Sequence, residues 1–600
     1  MLIGMVLFRE LKRRKVLHTL SLYVVGCWVA LQVVEVLSEA GLPPGTMRKV
    51  LVAMSVGFPF VLIISWFYDI SANGVRRTSS LSPDQDSPAL NLGDYALMAG
   101  LLVVVALNFY VLSSPAPIPA ASEHVMEQRT LVVLPFDDID VESDEGPIGD
   151  VLAGELRSEL AQVAGLKVLG PETSRIIKAA GDKYAVATEL GVTSILTGDA
   201  HLKDGKLTFQ ARLLQLPAGN TIWQSEYQDT TSGAVALQKG VVQAVLEIII
   251  PSASAETGHA PRINAGECRD MYDLYLRGKQ LRESNNWKRG LELLQEAVRI
   301  DPNCAVAWEA LATASIVTWS KEDFARAGAA ARRALELNES LPTAWAVLAE
   351  IAEEEKRWSE AEKLFLRALY VDPTNAHVNT FYGETLLARG RVREALHYSL
   401  EGYRYDPASR SANYHVALAA TYLEDGETAL KHALINADLR KDSRYDGWGE
   451  IADAYLILGE VDKALAIYAE HSEEFADWYL QCIRARMQPE LREDLPARMQ
   501  ATVDQYKNGD LTEWEKMSHG WSIVRCGTWI GEVDMAIDLM ANEELTTEQQ
   551  FLPFFQADSG ILRQTEFFRN KVVDSGLLDY WRKWGWSDYC RPDGDSFVCD

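Results

Sequence analysis

The spacing of hydrophobic positions changes several times along this 600-residue chain, and the N-terminal pattern is the simplest. Three runs of 19 residues are apolar almost without interruption: Thr19–Leu37, Val50–Tyr68 and Tyr95–Ser113. A helix needs about 20 such residues to cross about 30 Å of hydrocarbon. A cleaved signal peptide would instead show one short run with a small-residue cleavage site. The pattern therefore predicts three transmembrane helices within 18–113, preceded by a short basic segment, 1–17.

Basic residues around these runs predict their orientation. Seven Lys and Arg residues lie before the first run or between the second and third, against Arg48, Lys49 and Arg129 on the other side. Because Lys and Arg favour cytoplasmic loops, we expect the N-terminus in the cytoplasm. Three crossings then place everything after residue 113 outside it. In a bacterium with two membranes, this orientation predicts an inner-membrane protein, held in the lipid bilayer, with its C-terminal bulk in the periplasm.

The region after the membrane segment mixes strand and helix periods. A linker rich in Pro and Ala, 114–127, precedes it, and a second linker, 251–265, follows it. The main predicted elements are the strands Thr130–Phe136, Leu166–Leu169, Ser194–Lys203, Lys206–Leu216 and Thr221–Tyr227, and the helices Val151–Val163, Lys183–Leu190 and Ala234–Ile249. Asp204-Gly205 is the dipeptide typical of a tight hairpin turn. The pattern predicts a small α/β domain over 128–250.

Beyond this domain the apolar positions repeat with a fixed period. Pro373 and Pro407 stand 34 residues apart, and Ala361–Pro373 overlays Ala395–Pro407 without a gap. Small residues recur where paired helices must approach closely: Gly278, Ala312, Ala349, Gly383, Ala417 and Ala452. A period of this length predicts stacked helix pairs. We expect about six pairs and one degenerate pair within a repeat region, 266–545.

Two parts of the sequence resemble known families. The stretches LVVLPFDDID and LGVTSILTGDAHLKDGKLTFQARLLQLPAGNTIWQSEY resemble the TolB N-terminal-like (FlgO-like) domain, and the 34-residue units resemble the tetratricopeptide (TPR) repeat. The N-terminal FRELKRRKV resembles the membrane module of bacterial proteins that combine both. The resemblance implies a mainly α chain: three N-terminal transmembrane helices, a small α/β domain and a TPR α-superhelix. It also implies an envelope or signalling accessory protein without a catalytic centre in the α/β domain.

The TPR resemblance further implies a concave surface lined by the first helix of each repeat. Carrying the repeat positions across places these residues there: Tyr272, Tyr275, Lys279, Arg282, Glu309, Glu350, Glu353, His377, Glu384, Tyr414 and Asp453. The sequence leaves open whether each is a ligand contact or an ordinary solvated helix residue. Because the middle of this surface is acidic, a basic peptide or protein segment is the expected partner.

The last segment, 546–600, is expected to cap the repeats. Trp581, Trp584 and Trp586 suit it to seal the last apolar face of the superhelix, and a binding patch is the alternative. Cys590 and Cys599 enclose a turn containing Pro and Asp-Gly, which predicts a disulfide that fastens the cap onto the repeats in an oxidising compartment. The pairing of four other cysteines stays open: Cys268, Cys304, Cys482 and Cys526.

Charge and missing motifs restrict the function. Residues 1–113 hold nine of the 58 Lys and Arg and seven of the 85 Asp and Glu, which leaves 49 basic and 78 acidic residues beyond them. Because the part of the chain after residue 113 is so acidic, it repels phosphate backbones, and nucleic-acid binding is not expected. The chain has no Gly-rich phosphate loop, HExxH, GxSxG or kinase signature.

These patterns predict a non-enzymatic scaffold for protein–protein interactions, with no catalytic residues, cofactor or metal. The alternative is a transmembrane sensor whose periplasmic domains bind a ligand and act on a cytoplasmic regulator.

Overall fold

A computed structural model describes the following parts of the chain: 68–71, 74–77, 129–139, 149–163, 165–203, 206–230, 234–250, 272–283, 287–316, 321–439, 447–471, 477–508, 513–541 and 547–600. The chain divides into two compact units, Met1–Met126 and Glu127–Asp600. The described part of the first unit is one antiparallel hairpin of β1 (Tyr68–Ser71) and β2 (Gly74–Arg77).

The predicted transmembrane spans lie outside the described residues, as do both predicted linkers. The exception is Tyr68, the last residue of the second span, which begins β1. Within the described parts of the chain, no helix combines the length and apolar character that a membrane crossing requires.

The α/β region of the second unit is a six-stranded sheet with four helices. Its strands are β3 (Arg129–Val133), β4 (Asp137–Asp138), β5 (Leu166–Val168), β6 (Ser194–Lys203), β7 (Lys206–Gln215) and β8 (Asn220–Thr230). Its helices are α1 (Gly149–Ala161), α2 (Pro171–Ala179), α3 (Lys183–Glu189) and α4 (Ala234–Ile249). The strand order is β5-β3-β6-β7-β8, with β4 beside β6; β3 runs parallel to its neighbours, and β6, β7 and β8 are antiparallel.

The hairpin of β6 and β7 follows from its sequence. Its register pairs Lys203 with Lys206 across the predicted Asp-Gly turn. On β7 the alternate residues Leu207, Phe209 and Ala211 are each at most 2% exposed, because that face packs against the core. Helix α2 is absent from the sequence-based expectation.

Within the described residues, the repeat region contains six helix pairs. The first helix of each pair is α5 (Tyr272–Glu283), α7 (Ala305–Ser315), α9 (Pro342–Glu354), α11 (Ala376–Ala388), α13 (Arg410–Tyr422) and α15 (Trp448–Ile457). The second helix is α6 (Trp287–Ile300), α8 (Lys321–Leu337), α10 (Trp358–Val371), α12 (Val392–Tyr405), α14 (Gly426–Leu439) and α16 (Val461–Glu470). From the third pair on, three residues join the two helices of each pair, so they pack as antiparallel neighbours.

The small residues of the period lie where paired helices touch. A Cβ added to Gly278 would stand 2.7 Å from Cγ of Leu294, and one added to Gly383 would stand 2.5 Å from Oγ of Ser399. Both contacts are too short for any side chain, so the helix spacing requires the small residue.

A second repeating feature is a hydrogen bond that closes the turn between pairs. A side chain in the first turn of the first helix donates to the carbonyl six residues earlier, which the preceding helix leaves unpaired. The four bonds run from Trp308 to Pro302 (2.9 Å), Trp345 to Glu339 (2.9 Å), Asn379 to Pro373 (3.0 Å) and Asn413 to Pro407 (2.9 Å). Trp and Asn share little except an N–H donor, and that donor is what the position requires.

Further helices follow the sixth pair. They are α17 (Asp477–Met487), α18 (Leu495–Asn508), α19 (Glu513–Ile530), α20 (Val533–Met540), α21 (Thr547–Phe551), α22 (Gly560–Arg563), α23 (Glu566–Asp574) and α24 (Leu577–Trp584). A C-terminal hairpin of β9 (Cys590–Asp593) and β10 (Ser596–Cys599) ends the chain. A buried disulfide between Cys482 and Cys526 joins α17 to α19.

The α/β region is attached to the repeats by two helix caps that face each other. The carboxylate of Asp406, in the turn after α12, accepts the backbone N–H groups of Glu172 (3.1 Å) and Thr173 (2.8 Å) at the start of α2. The carboxylate of Glu172 in turn accepts the N–H of Arg410 (2.8 Å) at the start of α13. Asp406 therefore supplies the acceptor that the N-terminus of α2 lacks, because the N-cap residue of α2 is Gly170. Glu172 adds a second acceptor to the N-terminus of α13, which Ser409 already caps.

The backbone at this contact leaves no room for a larger residue. Gly170 donates its N–H to the carbonyl of Tyr405 (2.7 Å), and a Cβ on Gly170 would stand 2.4 Å from Cγ of Asp406. Burial raises the pKa of Asp406, which is 3% exposed, although its hydrogen bonds oppose the shift. The contact gives α2 the N-terminal acceptors that its N-cap residue, Gly170, cannot supply.

We predict that Asp406→Ala lowers the free energy of unfolding by about 1–3 kcal/mol, because α2 loses its cap and buried donors lose their acceptor. The amides at the start of α2 should then exchange faster with deuterium. Asp372→Ala is the matched control, since Asp372 ends the preceding repeat but accepts from Thr374 in its own turn. Equal exchange of the α2 amides in both variants would contradict the capping role.

Candidate functional site

The start of the expected groove is engaged by the α/β region. Tyr275, 2% exposed, donates its hydroxyl to Glu155 on α1 (2.6 Å), and the ammonium of Lys279 lies 2.7 Å from the same oxygen. Burial alone would raise the pKa of Glu155, but Lys279 and the hydroxyl of Tyr275 lower it. Both groove residues therefore hold α1. Tyr272 and Arg282 also lie on α5, and their side chains are outside the described part of the chain.

Two more of the expected groove residues make contacts within the array. Glu309 on α7 accepts the N–H of Ala344 (3.2 Å) in the first turn of α9, and burial raises the pKa of Glu309 to about 7. Asp453 on α15 accepts the hydroxyl of Tyr468 (2.7 Å) and an N–H of Arg525 on α19 (2.7 Å). Both carboxylates serve internal contacts and are not available as a ligand surface.

Glu353 belongs to a buried charged cluster near the end of α9. The guanidinium of Arg389, fully buried, contacts Glu353 and lies 2.8 Å from Glu362. Arg391 lies 2.9 Å from the other oxygen of Glu362. Burial raises the pKa of Glu353 to about 7. Burial would also raise the pKa of Glu362, but the two guanidinium groups outweigh it and lower that pKa.

The C-terminal segment completes this cluster. The hydroxyl of Tyr580 on α24 donates to Glu362 (2.9 Å) and accepts from Arg391 (2.6 Å). Burial raises the pKa of Tyr580 to about 12, so the hydroxyl keeps its proton. Removing one member of a buried charged network leaves the other members without compensation.

The same segment continues along the turns within the third, fourth and fifth pairs. Hydrogen bonds run from Trp581 to the carbonyl of Arg389 (2.8 Å), from Trp584 to Oγ of Ser359 (3.1 Å) and from Tyr589 to the carbonyl of Tyr422. The expectation that this segment seals the last repeat is therefore wrong. It packs on the middle of the array, where these turns offer unpaired carbonyls.

Cys590 and Cys599 form a disulfide with Cα atoms 4.1 Å apart. They face each other across β9 and β10, so the bond closes the hairpin on itself. The sequence predicted that this disulfide fastens the segment to the repeats, and that part of the prediction is wrong. Tyr580, Trp581 and Tyr589 make that attachment.

Between these two engaged regions, Glu350 and Glu384 face each other. Glu350 follows Ala349 on α9, and Glu384 follows Gly383 at the same repeat position on α11. Burial and then the charge of Glu384 raise the pKa of Glu350 to about 8. His415 on α13 lies 3.3 Å from Glu384, Nε2 to Oε2.

The last two expected groove residues contribute aromatic surface. The rings of His377 and Phe381 on α11 lie 4.3 Å apart, and the rings of Tyr414 and His415 on α13 lie 5.0 Å apart. The candidate site is therefore an acidic pair flanked by rings. Within the described residues, no group of three or more His, Cys, Asp and Glu side chains could hold a metal ion.

The sequence patterns do not indicate the residues through which the protein engages its own repeats. They single out none of Arg389, Arg391, Glu362, Tyr580 and Asp406. An Arg-Gly-Arg turn between two repeat helices is the local signal that could have indicated the buried cluster.

Comparison with known proteins gives weak and partial likenesses. No family model matches the chain. A putative adenylate cyclase 3 of Rhizobium meliloti is 24% identical over 244 residues, which are 39% of this chain and 42% of that protein. The transcriptional regulator HilA of Salmonella typhimurium is 25% identical over 329 residues, 53% of this chain and 56% of that protein. The chain thus spans about half the length of these curated relatives.

Solved structures similar to this chain include PilW, a type IV pilus biogenesis factor, at 19% identity and a TM-score of 0.28. The match covers 36% of this chain and 97% of PilW. The assignment to the TPR class rests instead on the chain's own helix pairs, small-residue contacts and closing hydrogen bonds. Fold and site together define a TPR-type repeat protein with an attached α/β sheet.

We predict that Tyr580→Phe lowers the free energy of unfolding by about 1.5–3 kcal/mol, because buried charged groups lose a hydrogen-bond partner. Amides of α24 should exchange faster. Tyr370→Phe deletes the same hydroxyl at a position that is 78% exposed and serves as the control. If both variants unfold at the same denaturant concentration, Tyr580 does not hold the segment.

Proposed function

We propose that this protein is a membrane-anchored, non-enzymatic TPR scaffold that holds a partner protein in the periplasm, next to the bacterial inner membrane. One observation carries the proposal: the protein itself engages the groove at two places, and between them the carboxyl groups of Glu350 and Glu384 recur at one repeat position on successive first helices.

Two features support the periplasmic location, and a third concerns the partner. The three apolar runs and the distribution of Lys and Arg favour export of everything after residue 113. The disulfides Cys482–Cys526 and Cys590–Cys599 suit an oxidising compartment. The net acidic charge of the exported part suits a basic partner and opposes nucleic-acid binding.

The scaffold proposal predicts a specific cross-link from the groove. Thr313 follows Ala312 on α7, so it occupies the same repeat position as Glu350 and Glu384. A photo-crosslinking amino acid at 313 should give one discrete adduct in living cells. The same amino acid at 370, on an exposed part of α10, should not. Equal adducts at both positions, or none at 313, would argue against a groove-bound partner.

The alternative is a transmembrane sensor that acts on a cytoplasmic regulator. The names of the two curated relatives, an adenylate cyclase and a transcriptional regulator, favour a link to signalling. A cross-linker at Lys12 in the basic N-terminal segment discriminates the two functions. A sensor should capture a cytosolic regulator from that position, whereas a scaffold should not.

The predicted membrane topology can be tested separately. Alkaline phosphatase, which is active only after export, should be active when fused after residue 130 and inactive when fused near residue 85. The reverse pattern would overturn the orientation and remove the support that the disulfides give.

A further inference from the structure

The two edge strands of the six-stranded sheet differ in how they are protected. β5 forms one edge with only three residues, and Lys167 stands at its centre. β8 forms the other edge with eleven residues, NTIWQSEYQDT, which include no Lys, Arg or Pro. Short length, Lys and Pro are features by which proteins prevent a further strand from pairing with an edge. Because β8 lacks all three, it is suited to accept another strand.

The register of the sheet identifies the backbone groups that face outward from β8. Leu216 donates its N–H to the carbonyl of Thr193 (3.0 Å), which continues the register of β6 and β7. The odd-numbered residues of β6 therefore bond to the even-numbered residues of β7. Because bonded and non-bonded pairs alternate along an antiparallel ladder, the odd-numbered residues of β7 bond to the odd-numbered residues of β8. This phase holds up to the bulge beside Leu213.

The even-numbered residues of β8 consequently direct their backbone groups away from the sheet. They are Gln224, Glu226 and Gln228, and all three are exposed. Within the described residues, no hydrogen bond joins their N–H and carbonyl groups to another part of the protein. Three donors and three acceptors at alternate positions thus face outward, which is the arrangement that an added strand requires.

We propose that the protein forms a homodimer in which β8 of one copy pairs antiparallel with β8 of a second copy. A two-fold axis through Ser225, the central residue of β8, overlaps all eleven residues of the two strands. It sets Gln224 of each copy opposite Glu226 of the other, and each such pair exchanges two main-chain hydrogen bonds. The dimer goes beyond the scaffold function proposed above and does not depend on it.

The side chains of β8 are complementary to their own copies in this register. Trp223 faces Tyr227 of the second copy at a non-hydrogen-bonded position, where side chains approach closely and aromatic pairs are favourable. Tyr227 already stacks on Phe209, with ring centroids 5.3 Å apart, and lies 6.5 Å from Trp223 of its own strand. The rings therefore form one row across the axis. Glu226 faces the amide of Gln224, and no carboxylate of β8 faces another.

Other registers fit less well. An axis through Glu226 sets the two Glu226 carboxylates directly opposite each other, which is unfavourable. An axis through Tyr227 shortens the overlap of the strands. Both copies carry net negative charge, so salt that screens their long-range repulsion should strengthen the dimer. A basic strand from another protein is the other occupant that this edge admits, and salt would weaken its binding.

The first test measures the mass of the purified full-length chain in a mild detergent, by light scattering over a range of protein concentrations. Wild type should change from monomer to dimer as its concentration rises. Glu226→Pro should dimerise at least about tenfold more weakly, because Pro removes an outward N–H without removing a bond to β7. Glu226→Gln is the matched control, since it loses the same charge and keeps that N–H, and it should dimerise like wild type.

A cysteine cross-link tests the register without disturbing the strand. Ser225 faces its own copy at a non-hydrogen-bonded position with Cα atoms about 4.5 Å apart, which is within the range of a disulfide. Ser225→Cys should therefore give a cross-linked dimer on mild oxidation. Glu226→Cys is the control and should not, because its copies are offset by two residues and lie beyond the reach of about 7 Å.

Three results would overturn the proposal. They are a wild type that stays monomeric at every concentration, a Glu226→Pro variant that dimerises like wild type, and a Ser225→Cys variant that cross-links no better than Glu226→Cys. A monomeric wild type would leave the edge of β8 to a strand from another protein. The cross-link from position 313 would still decide the scaffold function by itself, because it reports on the groove and not on β8.

Discussion

The buried guanidinium of Arg389 determines how the C-terminal half of this protein is arranged. A fully buried charge needs opposite charges in contact with it, and Glu353 and Glu362 provide them from two earlier helices. Glu362 then needs Arg391 and the hydroxyls of Tyr382 and Tyr580 to satisfy its two oxygens. The C-terminal segment is therefore a required part of the array, since it supplies Tyr580 and covers the charges from water.

A second set of contacts, made by carboxylate groups, attaches the α/β region to the repeats. Asp406 and Glu172 cap each other's neighbouring helices, and Glu155 takes up Lys279 of the first repeat. A TPR-type array alone would present its inner helices as one continuous groove. Here the protein engages that groove at both places, and Glu350 and Glu384 lie between them. The position of the candidate site therefore depends on these contacts within the protein as well as on the repeat pattern.

The sequence predicted the parts of the fold that depend on local chemistry. The 34-residue spacing of Pro373 and Pro407 marked the ends of α10 and α12, and Asp204-Gly205 marked the hairpin of β6 and β7. These signals are readable because each residue acts on its own backbone. Helix α2 was missed because its N-terminal acceptor, Asp406, lies more than 200 residues away.

The difference between local signals and contacts of distant residues also explains how far the candidate site could be predicted. Repeat position assigns Glu350, Glu384 and Asp453 to the same helix face, since all three follow the small residue of their repeat. It cannot indicate what covers that face. Asp453 meets Arg525 of α19, whereas Glu350 meets another carboxylate. Periodicity makes the two positions equivalent, and the non-local packing of the later helices makes one of them a structural ion pair.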